Sequence, residues 1–110
     1  MPSIKKAILL NKADSVATAL SQIQKGDVVD IIYNNETVNR LIALDDIEIY
    51  HKIAVVPIQS GNNVYKYGEV IGKAIKSIEI GQCVHIDNIE SVRGKRWKLR
   101  HTKDQMVNME

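Results

Sequence analysis

Apolar and polar positions along this chain alternate in short runs, with no stripe long enough for an extended amphipathic helix. An apolar run from Ile4 to Asn11 predicts a first strand. Asp14 or Ser15 then offers an N-cap for a short helix reaching about Ile23, which Lys25-Gly26 stops. VVDIIY and TVNRLIAL, joined by Asn34-Asn35, read as a hairpin. After an acidic turn at Asp45-Asp46, IYHKIAVV is a further strand, ended by Pro57, which cannot donate to a ladder. NVYKYGEVIGKAI carries Gly68 and Gly72 inside a β-rich pattern and predicts bends or close backbone approach in place of a plain strand. QCVHI is the last clear strand; RWKLRHT, around Trp97 and Leu99, reads as an edge strand, and KDQMVNME as a frayed end.

A second pattern lies over these runs. A-x-x-x-I-x-x-G-x-x-V occurs three times without a gap, as ALSQIQKGDVV (from Ala19), AVVPIQSGNNV (from Ala54) and AIKSIEIGQCV (from Ala74). The spacing describes a strand ending at a small residue, one helical turn carrying Ile inward, a Gly able to take positive φ, and a new strand opening with an inward Val. Copies 35 and then 20 residues apart are not solenoid repeats of constant period. They predict equivalent corners of one bent β unit, with Gly26, Gly61 and Gly81 structural, since none stands in a glycine-rich loop before a helix.

Composition sharpens this picture. At 110 residues one domain is expected, and its apolar content comes from Ile, Val, Ala and Leu with no Phe and one Trp, which favours a mostly β fold. No run approaches the roughly 18 apolar residues of a membrane span, and Asn11 and Lys12 interrupt the only apolar stretch near the start. With a lone Cys83 this predicts a cytoplasmic protein without disulfides. Residues 1–92 hold 9 Lys/Arg against 11 Asp/Glu, and residues 93–110 hold 6 against 2. The expected organisation is therefore a domain over 1–92 followed by a basic tail or docking segment over 93–110. Nucleic-acid binding through Arg93, Lys95, Arg96, Lys98 and Arg100 would require affinity that falls steeply with salt and is not the expected role.

The chemistry-bearing residues are few. Strand alternation would put Cys83, His85 and Asp87 on one face, and a His-x-Asp pair suits a divalent transition metal. The same alternation is equally that of a polar outer face on a half-buried strand. His51 stands at the entry to a strand, and Lys66 is placed to meet a carboxylate, although a solvated lysine is the ordinary alternative. No nucleophile with an adjacent base is visible, so catalysis by this chain alone is not expected.

The segment HKIAVVPIQSGNNVYKYGEVIGKAIKSIEIGQCVHIDN carries an ordered set: His51, Lys52 and Ala54; Ile58, Gly61, Val64, Lys66, Tyr67 and Gly68; Ile71, Gly72 and Ala74; Ile78, Gly81, Val84, His85 and Asn88. This set resembles the SAF-type domain, a β-clip fold, that begins altronate and galactarate dehydratases and forms the small subunit of sulfolactate sulfo-lyase. The upstream DSVATALSQIQKGDVV is similar to the family's opening, and the likeness runs from about residue 12 to 94. Asp87 stands where the family pattern has a second histidine, and Lys95-Arg96-Trp97 follows Arg93-Gly94 where many relatives have R-G-D.

The resemblance implies a small bent β domain with short helical turns, acting as the small subunit beside a separate large catalytic subunit. The implied reaction is loss of water, or of sulfite, from a sugar acid or related 2-hydroxy acid. In that scheme His85 is base or metal ligand, His51 and Asp87 are ligands or proton relays, and Lys66 and Asn88 bind substrate. A divalent metal (Fe, Mn or Mg) would be shared with the large subunit. A non-catalytic SAF module that binds a polyhydroxy acid or a protein partner is the alternative, and a homo-oligomer is compatible with either.

Overall fold

The computed structural model describes residues 4–85 and 87–91, and all of their regular structure is strand. Nine strands run in the order β1 (Ile4–Ile8), β2 (Val16–Ala19), β3 (Val28–Tyr33), β4 (Glu36–Ile42), β5 (Lys52–Ala54), β6 (Asn63–Lys66), β7 (Glu69–Ala74), β8 (Cys83–Val84) and β9 (Ile89–Ser91). Six form one sheet in the order β4-β3-β1-β2-β5-β8, and three form a second in the order β6-β7-β9. Neighbours are antiparallel except β1 and β3, which run parallel. The expected mostly β fold is present. No helix of the described residues is long and apolar enough to cross a membrane. The proposed edge strand RWKLRHT and the tail beyond it lie outside the described residues.

The repeated motif is the organising device. Ala19, Ala54 and Ala74, Ile23, Ile58 and Ile78, and Val29, Val64 and Val84 are all buried. Gly26, Gly61 and Gly81 have φ of 95°, 92° and 95°. The structure adds a fourth copy in ALDDIEIYHKI, where Tyr50 replaces the glycine and Ile53 the valine. Tyr50 holds φ at 70°, a conformation that costs a non-glycine residue about 1–2 kcal/mol. In each corner a backbone bond closes a four-residue turn with the positive-φ residue third: Asp27 to Gln24, His51 to Glu48, Asn62 to Gln59, and Gln82 to Glu79.

The helical turn expected in each corner is absent, because the corners pair with one another and use their backbone groups for that. Ile23 and Ile47 exchange two hydrogen bonds of 2.8 Å, and Ile58 and Ile78 do the same at 2.9 and 2.7 Å. Reciprocally, Gly26 N–H donates to Ala43 C=O and Tyr50 N–H to Ala19 C=O, while Gly61 donates to Ala74 and Gly81 to Ala54. Two pairs of corners thus satisfy the polar groups that each would bury alone. Each pair also nucleates one core: Ile23 and Ile47 join Ala17, Val29, Ile31 and Ile53, whereas Ile58 and Ile78 join Val16, Ala54, Val64 and Val84. Strands β2 and β5 feed both cores from their two faces, Ala17 and Ile53 on one side and Val16 and Ala54 on the other.

Two local expectations are corrected. Residues 16–19 are strand β2 and not a helix, because the capping residues act on a different element. Asp14 accepts from Tyr67 N–H (2.9 Å) and Gly68 N–H (2.8 Å), and Ser15 Oγ accepts from Tyr65 N–H (3.1 Å). The bend foreseen at Gly68 is the two-residue Tyr67-Gly68 turn of the β6–β7 hairpin, both residues at positive φ, held in place by that carboxylate, whereas Gly72 lies inside β7, where an added Cβ would meet the Glu90 carbonyl oxygen of β9 at 2.7 Å. The Asn34-Asn35 hairpin between β3 and β4 is as expected, with φ of 55° and 67°.

Candidate functional site

Strand β8 is only two residues long, so the alternation read from QCVHI stops at Val84. The chain turns instead: Asn88 N–H donates to His85 C=O at 3.0 Å. The side chain of Asn88, buried at 8% exposure, locks this turn from within. Its Oδ1 accepts from His85 N–H at 3.0 Å and its Nδ2 donates to Cys83 C=O at 2.8 Å. The turn brings His85 Nε2 to 3.5 Å from Asp87 Oδ2. The two side chains expected to share a strand face do meet, through a turn that Asn88 builds.

His51 reaches the same end of the sheet by pairing register. Lys52 lies opposite Val84 and Ile53 opposite Cys83, so His51 and His85 leave the β5–β8 ladder together. His51 Nε2 lies 4.0 Å from Glu48 Oε1. Beside this rim an open groove of about 380 Å³ is lined by Asp45, Asp46, Lys76, Gln82, Cys83, His85, Asp87 and Asn88. His51 and Lys66 are not among its lining residues. Lys66 lies over the Tyr67 ring, with Nζ 5.4 Å from the centroid.

Asp45 and Asp46 enter from the fourth corner, which sequence spacing did not show. Asp45 Oδ2 accepts from Cys83 N–H at 2.9 Å, and Asp46 Oδ1 from Lys25 N–H at 2.8 Å. Burial, and then the negative charge of Asp45, push the Cys83 thiol up; Lys52 opposes this, and Asp87 and Glu48 add to it. A raised thiol is a poor source of thiolate, which agrees with the absence of a cysteine nucleophile in the sequence. Lys52, opposite Val84 in the ladder, is a second shifted group at this end of the sheet. Burial, and then the charge of Lys66, push its ammonium down, with Cys83 opposing. Its signal in the sequence was the alternation of β5, which sets Lys52 on the face opposite Ile53.

The donors for a metal can be tested on this geometry. His85 and Asp87 offer an imidazole and a carboxylate 3.5 Å apart, donor types that suit Fe or Mn, although neighbouring ligands of an octahedral ion with bonds of about 2.0–2.1 Å stand closer, about 2.8–3.0 Å apart. Among the described residues no group of three or more His, Cys, Asp or Glu side chains is arranged to hold a metal ion. His85 and Asp87 therefore fit as two donors of an incomplete set.

Residues 5–92 match the altronate/galactarate dehydratase SAF domain. Altronate dehydratase of Bacillus subtilis is 35% identical over 88 residues, 80% of this chain but 17% of that enzyme. Altronate dehydratase of Escherichia coli is 37% identical over 81 residues, 15% of its length. The (2R)-sulfolactate sulfo-lyase subunit alpha of Paracoccus pantotrophus is 43% identical over 58 residues, which are 53% of this chain and 82% of that subunit. With its corners, two cores and rim accounted for, the chain belongs to the SAF domain family of altronate and galactarate dehydratases.

Proposed function

We propose that this domain works as a small-subunit-type partner of a separate large catalytic subunit, in a lyase that eliminates water or sulfite from a sugar acid or related 2-hydroxy acid. The observation that carries the reading is the His85–Asp87 pair at 3.5 Å, on a rim shared with His51, in a chain whose relatives include a lyase subunit matched over 82% of its length.

Elimination from such an acid removes the proton beside the carboxylate, builds enediolate charge, and expels the group on the next carbon. In this reading His85 takes up that proton, and the Asp87 carboxylate, 3.5 Å away, holds the imidazolium that results. His51, beside Glu48, relays protons at the same rim, and Lys66 meets the carboxylate. Asn88, whose amide is committed to His85 and Cys83, positions the imidazole. In the alternative arrangement His85 and Asp87 would instead be two donors to a divalent ion (Fe, Mn or Mg) shared with the large subunit, which would stabilise the enediolate, and the proton would pass to His51.

Two donors exposed at 44% and 71% make a half-site, so completion by a partner is integral to the reading. The test is reconstitution: the large subunit assayed on altronate and on (2R)-sulfolactate, with and without this chain. Turnover that appears only when both are present, together with co-purification, is expected. Binding of a polyhydroxy acid by the isolated chain, with no catalytic partner and no turnover, would replace the lyase reading by that of a non-catalytic module.

A further inference from the structure

Three of the four corners place glycine at the left-handed position, with φ of 95°, 92° and 95°, and the fourth places Tyr50 there at 70°. The backbone around all four is the same. The positive-φ residue donates its N–H to an alanine C=O, and that alanine donates its own N–H to the C=O of the next residue, a bulge that takes its form from glycine. In the fourth corner these bonds run from Tyr50 N–H to Ala19 C=O at 2.8 Å and from Ala19 N–H to His51 C=O at 2.9 Å. A side chain with a Cβ is strained here, and the chain avoids that strain at the other three corners.

Nothing among the described residues offsets it. Tyr50 is 69% exposed and is packed on neither core, and its ring and hydroxyl make no ring contact or hydrogen bond with those residues. Leu20, which follows Ala19, and Ile49, which precedes Tyr50, are exposed as well. Strain kept at one of four equivalent positions, beneath an exposed aromatic ring, points to a use outside the chain.

The surroundings indicate what that use is. Tyr50 precedes His51, which leaves the β5–β8 ladder beside His85, yet Tyr50 does not line the groove. Its apolar neighbours Leu20 and Ile49 offer no side-chain hydrogen bond to a polyhydroxy acid, whereas a tyrosine among aliphatic side chains suits a pocket in a protein. The charge nearby is acidic: Glu48 and Asp46 are exposed, and Asp45, Asp46 and Asp87 line the groove against Lys76.

We propose that Tyr50 is the anchor by which this domain docks on its large catalytic subunit, its ring entering an apolar socket rimmed by basic side chains. The inference rests on the two-subunit reading and adds to it a contact surface and the chemistry of the partner. Leu20 and Ile49 extend the apolar contact, and Glu48 and Asp46 meet the basic rim.

The test uses Tyr50→Gly and Tyr50→Asn, since both residues adopt positive φ readily and neither carries the ring. In the isolated full chain both variants should unfold at a higher denaturant midpoint than the unmodified chain. In calorimetric titration against the large subunit, without substrate, both should bind at least ~10-fold more weakly. Tyr50→Phe should bind like the unmodified chain, and so should Val38→Ser, which removes an exposed apolar side chain from β4. Affinity should also fall as salt rises.

Undiminished affinity in Tyr50→Gly and Tyr50→Asn, or no complex with the large subunit, would overturn the anchor. Lower midpoints in both variants would do the same, because the fold itself would then be using the ring. A dimer of the isolated chain that Tyr50→Gly dissociates would give the face to a second copy and overturn its assignment to the large subunit. Because binding is read without substrate, an inactive pair still held through Tyr50 removes the lyase reading and leaves the anchor. An active pair indifferent to Tyr50→Gly does the reverse.

Discussion

Gly81→Ala is expected to destabilise the domain by roughly 3 kcal/mol or more, from two additive causes. The φ of 95° is disfavoured for alanine by about 1–2 kcal/mol. In addition the new Cβ would drive into the Ile42 carbonyl oxygen, with the Leu44 backbone N and side-chain Cγ both 3.3 Å away. Backbone on that side cannot yield, because Leu44 N–H donates to Gly81 C=O and Gly81 N–H to Ala54 C=O. Overpacking of this kind adds about 1–3 kcal/mol. Gly26→Ala and Gly61→Ala supply the control, since at both an added Cβ meets nothing within 4 Å and only the φ penalty applies. Chemical denaturation should therefore rank Gly81→Ala well below the other two, with the slope m unchanged. Three equal losses would show that the corner depends on φ alone.

Asn88→Ala should have the second large effect, and on both stability and activity. The substitution leaves His85 N–H and Cys83 C=O without their side-chain partners at a buried position, costing about 1–3 kcal/mol for each group that stays dry. It also frees the turn that sets His85 against Asp87, so kcat of a reconstituted enzyme should fall along with the melting temperature. Asn88→Asp keeps the acceptor for His85 N–H but loses the donor to Cys83 C=O, and should lie between the two. A variant with an unchanged melting temperature and a raised KM alone would instead make Asn88 a substrate contact.

How much of this was written in the sequence can be judged residue by residue. The three glycine corners were readable because Ala, Ile, Gly and Val keep fixed spacing, each position having one steric role. The fourth corner was not, because Tyr50 occupies a conformation that glycine usually marks and so breaks the pattern. Asp14 and Ser15 have the chemistry of a helix cap, but the N–H groups they satisfy belong to Tyr65, Tyr67 and Gly68, some fifty residues away, which local pattern cannot reveal. In the site, His85 and Asp87 were legible as neighbours, since both a strand and a tight turn bring i and i+2 close. Asp45 was invisible: its bond to Cys83 spans 38 residues and depends on the corner that the sequence concealed. Lys52 was legible by position in its strand but not by environment, because the burial that pushes its ammonium down comes from elements distant in sequence.

We propose that this small β domain lends the His85 rim to a reaction completed by a partner subunit. The most direct measurement is turnover of the reconstituted pair with His85→Ala, compared at equal thermal midpoints with the unmodified chain. His85 is 44% exposed and bonds to Asn88 through its backbone N–H, which alanine retains, so the fold should survive. Removing a general base predicts a fall in kcat of about 10²–10⁴-fold with an unchanged midpoint; undiminished turnover by the folded variant would contradict the account.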